Sequence, residues 1–154
     1  MKRILKIMVA YDFSDYSIKA LEFAAELAGE LKSDLMIVNI INQRDIDALL
    51  RAEMEGANFS ADKFIEDNKK DRLEQINKKI EEISAKHLSV EIKIKTGVPF
   101  RELIQAVKDG GVDLVVMGRK GRSNLAGILF GTTAEKMFRH CPVPLLSLRE
   151  DMQR

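Results

Sequence analysis

Residues 118–133, with the sequence GRKGRSNLAGILFGTT, combine flexible backbone and positive charge in a single connection. Glycines stand at 118, 121, 127 and 131, three basic residues lie among them, and two threonines end the stretch. Glycine lets backbone N–H groups approach an anion without interference from a Cβ atom. This composition is typical of a phosphate-binding loop. An ordinary turn followed by a capped helix would use the same residue types, and the residues alone leave both interpretations open.

The end of this stretch predicts the start of a helix. Thr132-Thr133-Ala134-Glu135 has the pattern of a capping box, with Thr132 as the N-cap and Glu135 as the third helical residue. A helix N-terminus presents unpaired N–H donors and a partial positive charge, which favour a phosphate group. The carboxylate of Glu135 would then need a lysine, an arginine or a metal ion to offset its charge.

Groups suited to catalysis are scarce. No Walker-type G-x-x-x-x-G-K-[ST] motif is present, and no G-x-G-x-x-G motif follows the first apolar run. His140 and Cys141 are neighbours on a chain expected to be extended, so their side chains point apart, and His87 is expected on the surface. A zinc site is therefore not predicted. Asp12 could hold Mg²⁺ beside a phosphate, but no residue is evident that would position an attacking water.

Five apolar runs are predicted to form the strands that carry this loop: 4–11, 34–41, 90–96, 113–118 and 143–148. The second, fourth and fifth are almost continuously apolar, as in strands covered on both faces. The third alternates apolar and charged residues and is predicted to be an edge strand. The strands alternate with helical segments, which predicts an α/β fold with a doubly wound parallel sheet. Ligands of such sheets bind beyond the carboxyl ends of the strands.

Helices are predicted over 15–31, 61–86, 99–109 and 133–139, from apolar residues at helical spacing and from prolines at the boundaries. The segment 42–60 is the least regular, so it is predicted to be a mobile excursion with one helical turn around 46–50. The whole chain, 1–154, is expected to form a single domain.

Composition excludes several classes of protein. Of 154 residues 45% are hydrophobic and 32% charged, which disfavours disorder, and the formal net charge is +1. That charge gives no general attraction to nucleic acid or to anionic membranes. The single cysteine, the absence of a secretory signal pattern and the absence of a membrane-spanning run predict a cytoplasmic protein that binds neither.

The spacing Gly118-x2-Gly121-x9-Gly131-Thr132 resembles the signature of the ATP-binding branch of the universal stress protein family. The similarity extends over nearly the whole chain, including VAYDFSDYSIKALEFAAELA at the start and HCPVPLLSLR near the end. This resemblance implies a five-stranded, Rossmann-like sheet of strand order 3-2-1-4-5 with helices on both faces, as in the adenine nucleotide alpha hydrolase-like group.

The resemblance also implies how a nucleotide would be bound. Asp12 matches the acidic residue near the ribose and the phosphate-bound metal ion, and Ile40 matches the position whose backbone reads the adenine edge. Ala10, Tyr11 and Met117 would border the adenosine. The phosphates would be held by backbone N–H groups, hydroxyls and basic side chains of Gly118, Arg119, Gly121, Arg122, Gly131, Thr132, Thr133 and Ala134. The implied ligand is ATP, or AMP or ADP, with Mg²⁺ or Mn²⁺.

Three functions are compatible with that resemblance. The first is an ATP-binding, nucleotide-responsive module in stress or signalling. The second is a slow Mg²⁺-dependent ATPase, and the third is a nucleotide-free interaction protein, against which the intact glycine signature argues. The last strand, Val143–Leu148, has two apolar faces at a sheet edge. The family suggests that this strand pairs with its copy in a homodimer.

Overall fold

Strands and helices alternate along the computed structural model, which describes residues 1–83, 85–122, 126–127 and 129–149. The strands are β1 (Lys6–Ala10), β2 (Asp34–Asn42), β3 (Val90–Gly97), β4 (Leu114–Gly118) and β5 (Leu145–Leu148). The helices are α1 (Asp15–Leu31), α2 (Gln43–Met54), α3 (Ala61–Glu82), α4 (Pro99–Gly110) and α5 (Thr132–His140), and a 3₁₀ turn spans Ala85–His87.

The five strands form one parallel sheet of order β3-β2-β1-β4-β5. The predicted strand order and the predicted doubly wound α/β fold are therefore confirmed. The chain first builds outward from β1 to β2 and β3, and then returns to add β4 and β5 on the other side. The carboxyl ends of β1 and β4 flank the point where the direction of winding changes, which is where such sheets bind ligands.

Helices cover both faces of the sheet, as predicted. One core cluster joins Ile7 and Val9 of β1 to Leu21 of α1 and Ile76 of α3. The intervening Met8 points to the other face, where residues of α4 and α5 form a second cluster. Because successive side chains of a strand alternate between faces, an uninterrupted apolar run serves both clusters.

The helix ends follow from local sequence. Ser14 caps α1, because its side-chain oxygen accepts a hydrogen bond from the backbone N–H of Ser17 at 3.2 Å. Pro99 occupies the first turn of α4, where its missing N–H costs nothing. Gly111 ends α4 in the left-handed conformation, with φ 63°, which glycine adopts without steric penalty.

β3 and β5 are the two edges of the sheet. The alternation predicted for β3 is confirmed, since Ile92 and Ile94 pack against the core while Glu91 pairs with Lys6 of β1 at 2.9 Å on the other face. β5 is hydrogen-bonded to β4 alone among the described strands. It begins at Leu145, two residues later than predicted.

The segment after β2 is more regular than its sequence predicted. Instead of one turn around 46–50 it contains the twelve-residue helix α2. Asn42 caps α2 by accepting a hydrogen bond from the N–H of Arg44, and Gln43 donates to Asp47 one turn on. Ile46 is the only buried residue of α2, so most of this helix lies at the surface and makes few core contacts. The predicted helix 61–86 is shorter than expected, because α3 ends at Glu82; residue 84 lies outside the described residues.

Within the described residues, the helices are too short or too polar to cross a lipid bilayer.

The packing of α3 yields a first prediction. Ile76 is fully buried, whereas Leu73, three residues earlier, is 40% exposed. Replacing Ile76 by alanine removes core contacts and should lower the free energy of unfolding by about 3 kcal/mol, against about 1 kcal/mol for Leu73→Ala. Urea denaturation of both variants measures the difference. Equal losses would contradict this placement of α3 on the sheet.

Candidate functional site

A cavity of about 640 Å³ opens at the carboxyl ends of β1, β2 and β4. Its walls also include the start of α5, part of the glycine loop, the first turn of α2 and one residue of α3. Ligand pockets for small molecules usually measure about 300–1,000 Å³. The cavity therefore has the size and the position expected for a small-molecule site in a doubly wound sheet.

The cavity brings together every predicted site residue except Arg119. The lining includes Ala10, Tyr11, Asp12, Ile40, Met117, Gly118, Gly121, Arg122, Gly131, Thr132, Thr133 and Ala134. Met117 lines the cavity and is also part of the second core cluster. Positions 123–125 and 128 of the glycine loop lie outside the described residues.

Arg119 instead helps to close the loop behind the cavity. Its backbone N–H donates to Leu148 of β5 at 3.1 Å, and its carbonyl accepts from the N–H of Gly131 at 2.8 Å. Its Nε atom is buried and has no hydrogen-bond partner among the described residues. The main chain of Arg119 thus ties the beginning of the loop to its end and to the neighbouring strand.

Asp12 connects three segments that form the cavity. Its Oδ1 accepts hydrogen bonds from the backbone N–H and the hydroxyl of Ser14, at the start of α1. Its Oδ2 accepts from the backbone N–H of Arg122 in the glycine loop at 3.1 Å. The N–H of Asp12 donates to the hydroxyl of Ser17 at 3.2 Å. A single carboxylate at the end of β1 therefore fixes the position of the loop relative to α1.

The turn between β1 and α1 is strained. Phe13 has φ 67°, a left-handed conformation that costs a residue with a Cβ atom about 1 kcal/mol. Its ring packs edge-to-face on Tyr11, with 5.0 Å between ring centroids, and the guanidinium of Arg72 lies 5.9 Å from its centroid. These contacts offset the strain and hold the chain reversal that brings Asp12 to Ser14.

Two of the loop glycines are required by close contacts. A Cβ atom on Gly121 would collide with Oδ2 of Asp12, and one on Gly118 would lie 2.6 Å from Cβ of Tyr16. A Cβ on Gly131 would meet its nearest neighbour at an ordinary 3.6 Å. Gly121 and Gly118 thus allow the loop to pack on β1 and α1 in this structure, whereas the space around Gly131 does not demand glycine.

The predicted capping box at α5 is wrong. The N-cap is Gly131, with φ −69° and ψ 160°, and α5 has no side-chain cap, so Thr132 is the first helical residue. Glu135 pairs with Arg139 one turn later, at 2.8 Å, and does not reach back to the helix start. The cation expected to offset Glu135 is therefore Arg139. Because no side chain among the described residues caps α5, the N–H groups of its first turn are left for solvent or a ligand there.

A hydrogen-bond chain that the sequence did not reveal lies beside Asp12. Asn39 of β2 is buried, and its Nδ2 donates to the carbonyl of Tyr11 at 2.7 Å. Its Oδ1 accepts from Nη1 of Arg72 at 2.8 Å, while Nε of Arg72 donates to Asn68, also on α3, at 2.6 Å. This chain links α3 through β2 to the residue preceding Asp12.

Burial shifts the ionisation of two groups in the site. Burial, together with the charge of Asp12, raises the pKa of Tyr11 to about 12, so its phenol stays neutral. Burial lowers the pKa of the Arg72 guanidinium, and the positive charge of Arg122 lowers it further, while Asp45 acts in the opposite direction. Arginine nevertheless remains charged at neutral pH.

The described lining holds four cationic and three anionic side chains: Arg44, Arg72, Lys120, Arg122, Asp12, Asp45 and Glu135. Glu135 has its own cation in Arg139. The charges in the cavity therefore favour an anionic ligand over a cationic one.

The residues considered for catalysis lie elsewhere. His87 is in the 3₁₀ turn, and the ring of His140 lies 6.4 Å from that of Phe100, between their centroids. Burial raises the pKa of the Cys141 thiol, which makes it a poorer nucleophile. Neither these residues nor the carboxylates form a group of three potential metal ligands anywhere in the described ranges.

Sequence reasoning missed Arg72, and no signal in the sequence identifies it. It stands within the charged segment KKDRLEQ of α3, where its type and spacing match those of solvated neighbours. Only the packing of α3 beside β2 brings it into the cavity. The other lining residues that were not among the predicted site residues are Ser17, Val38, Asn39, Asn42, Arg44, Asp45, Pro99, Leu103, Lys120, Phe130 and Glu135.

A scan against protein families finds that residues 4–149 match the model of the Universal stress protein family. The chain is 28% identical over 153 residues to universal stress protein MJ0577 of Methanocaldococcus jannaschii, covering 94% of each chain. It is also 28% identical over 148 residues to universal stress protein YxiE of Bacillus subtilis, covering 94% of this chain and 98% of the other.

Solved structures share the fold. That of MJ0577 matches with a TM-score of 0.77 at 24% identity, covering 99% of this chain and 100% of the other. A universal stress protein in complex with cAMP matches with a TM-score of 0.65 at 21% identity, covering 97% and 100%. One from Archaeoglobus fulgidus in complex with dAMP matches with a TM-score of 0.63 at 17% identity, covering 96% and 100%.

The contacts of Asp12 yield a second prediction. An asparagine here would place its NH₂ group opposite one of the N–H or O–H groups that donate hydrogen bonds to Asp12, and that hydrogen bond would be lost. Asp12→Asn should therefore lower the free energy of unfolding by about 1–3 kcal/mol. Asp15→Asn removes the same charge from an exposed carboxylate in the first turn of α1 and should cost less than about 1 kcal/mol. Thermal unfolding compares the two, and equal losses would contradict the bridging role of Asp12.

Proposed function

This chain belongs to the universal stress protein family, and from that membership we propose that it binds ATP and acts as a nucleotide-responsive module in stress or signalling. The observation that carries the proposal is the cavity at the carboxyl ends of the strands, which joins an anion-binding end to an apolar end. The two ends suit the phosphates and the adenosine of one ligand, respectively.

The phosphate end consists of backbone donors and positive charge. Gly121 and Gly131 belong to the loop, and the first turn of α5 has N–H groups without a side-chain cap. Lys120 and Arg122 of the same loop also line the cavity. Backbone N–H groups at a helix start favour phosphate through their geometry and through the helix dipole. This arrangement supports binding of the phosphates between the loop and α5.

The adenosine end is built from the strand ends and α4. Ala10, Ile40 and Met117 lie at the carboxyl ends of β1, β2 and β4, and Leu103 of α4 completes this wall. These residues contribute to the second core cluster or pack against it, so this side of the cavity is firm and apolar. A flat adenine ring fits such a surface, with specificity supplied by the backbone at Ile40.

Two of the structural relatives support an adenine nucleotide as the ligand class. One universal stress protein was solved in complex with cAMP and another in complex with dAMP. Both ligands contain adenine and a phosphate group, the two parts that the two ends of this cavity suit. The choice of ATP over AMP or ADP rests on the glycine loop, whose length and charge exceed the needs of a single phosphate.

Mg²⁺ or Mn²⁺ would accompany ATP mainly through the nucleotide. Asp12 already accepts three hydrogen bonds, and a carboxylate offers about four acceptor positions. One position therefore remains for a metal ion or its bound water, and phosphates and water would supply the others, as is usual for Mg²⁺. The ion would neutralise phosphate charge, while Asp12 continues to hold the loop.

Cytoplasmic location and homodimer formation belong to the same proposal. A single cysteine suits a reducing compartment, and the near-neutral charge suits a protein without nucleic-acid partners. β5, within the segment Val143–Leu148, is an edge strand whose outer side is unpaired among the described residues, and that side could pair with a second copy. Pairing of two such edges about a two-fold axis would satisfy both of them at once.

Calorimetric titration with ATP and Mg²⁺ tests the nucleotide proposal. The nucleotide-stripped protein should bind ATP with a stoichiometry near one per chain, and the ATP should be intact when the cell contents are analysed afterwards. Steady release of ADP would replace the binding module with a slow ATPase. A lack of binding at millimolar ATP would refute the proposal and favour a nucleotide-free interaction protein.

Sedimentation velocity at micromolar concentration tests the dimer. We expect a particle with twice the 17.4 kDa mass of one chain. A monomer under these conditions would contradict pairing through β5.

A further inference from the structure

We propose that Arg72 selects for phosphate in this cavity: its guanidinium contacts a phosphate group of the bound adenine nucleotide from helix α3, outside the glycine loop. This inference rests on the proposed nucleotide binding and adds a specificity-determining residue to it. Arg72 is the residue through which α3 lines the cavity.

The guanidinium is held in a fixed orientation. Nε donates to Asn68 at 2.6 Å and Nη1 donates to Asn39 at 2.8 Å, so two edges of the planar group are engaged. A guanidinium carries five N–H donors in a rigid fork. The described residues supply no hydrogen bond to Nη2, which leaves its donors for solvent or for a ligand in the cavity that Arg72 lines. Such a preorganised donor binds an anion with little loss of side-chain entropy.

Among the described residues Arg72 makes no ion pair, although the charge of Asp45 in the same cavity partly favours its positive charge. Its two hydrogen-bond partners are neutral amides, and within the described part of the chain no carboxylate lies within ion-pair distance of it. Arg122 of the glycine loop lines the same cavity, and its charge is close enough to disfavour the positive charge on Arg72. A half-buried cation beside a second cation is unfavourable unless an anion joins them.

Phosphate is the part of a nucleotide that could supply a negative charge between Arg72 and Arg122. Hydrogen bonds to a ribose hydroxyl or an adenine nitrogen would satisfy Nη2 but leave two positive charges facing each other. A phosphate group placed between Arg72 and Arg122 would accept charge-assisted hydrogen bonds from both. Arg72 should therefore strengthen the binding of ATP and contribute little to the binding of adenosine.

A purely structural role for Arg72 makes a different prediction. Arg72 holds Asn39, whose amide bonds the carbonyl of Tyr11 next to Asp12. If holding Asn39 were its only role, its loss would disturb the end of β1 and weaken both ligands to the same extent. The ratio of ATP affinity to adenosine affinity separates the two roles.

The experiment measures that ratio for the wild-type protein, Arg72→Gln and Lys70→Gln, with adenosine assayed by competition against ATP. Lys70→Gln removes an equal charge from an exposed position of α3. We expect Arg72→Gln to lower the ratio about tenfold or more, as befits one charge-assisted hydrogen bond. We expect Lys70→Gln to leave the ratio within about twofold of the wild type, because exposed charges are well screened.

Circular dichroism establishes that each variant is folded. If Arg72→Gln does not fold, Arg72→Lys is measured in its place; it retains the charge but loses the rigid fork, and it should lower the ratio about threefold. An unchanged ratio, or equal weakening of both ligands, overturns the assignment of Arg72 while ATP binding by the wild type stands. Failure of the wild type to bind ATP refutes the proposed function itself, which is a separate result.

Discussion

The hydrogen bonds accepted by the carboxylate of Asp12 hold together three segments that meet at the cavity. They tie the end of β1 to the start of α1 through Ser14 and to the glycine loop through Arg122. The left-handed turn at Phe13 and the lack of a side chain at Gly121 are conditions for these contacts, since either a relaxed turn or a Cβ atom would separate the partners. An acidic residue here is thus part of the architecture before any ligand arrives.

A second support joins the opposite half of the sheet to the same place. Asn39 lies in the buried strand β2, where its amide donates a hydrogen bond to the carbonyl of Tyr11 and accepts one from Arg72 of α3. Buried amides are costly unless both their donor and their acceptor are used, and here both are. α3 is therefore fixed to the site by a polar contact as well as by the apolar packing of Ile76 and Ile80. The wall of the cavity thus combines hydrogen-bonded polar side chains with closely packed apolar ones.

The alternation of strands and helices could be predicted because it follows from short-range patterns, whereas the strand order and the individual site residues were implied by the family resemblance. Continuous apolar runs identify buried parallel strands, and glycine spacing identifies the loop. Helix α2 was predicted only as a single turn around 46–50: apolar residues stand there at helical spacing, but Ile46 alone is buried, so core packing marks little of the helix. The cap of α5 was misassigned because threonine and glutamate have the right spacing, whereas backbone geometry at Gly131 decides the actual N-cap. Arg72 was unpredictable because its role depends on tertiary packing alone.

The uncapped start of α5 has a consequence for the far end of that helix. If the chain binds nucleotide as proposed, a phosphate at this helix start would take the place of the missing cap and stabilise the first turn in proportion to its occupancy. α5 runs on to His140, and Leu145 then begins the edge strand β5 only a few residues later. The loop reaches the same strand through Arg119 and Leu148. Under the proposed nucleotide binding, a phosphate at the start of α5 would therefore be connected to the sheet edge through both the helix and the loop, and hydrogen exchange of the amides there should slow when the nucleotide is bound.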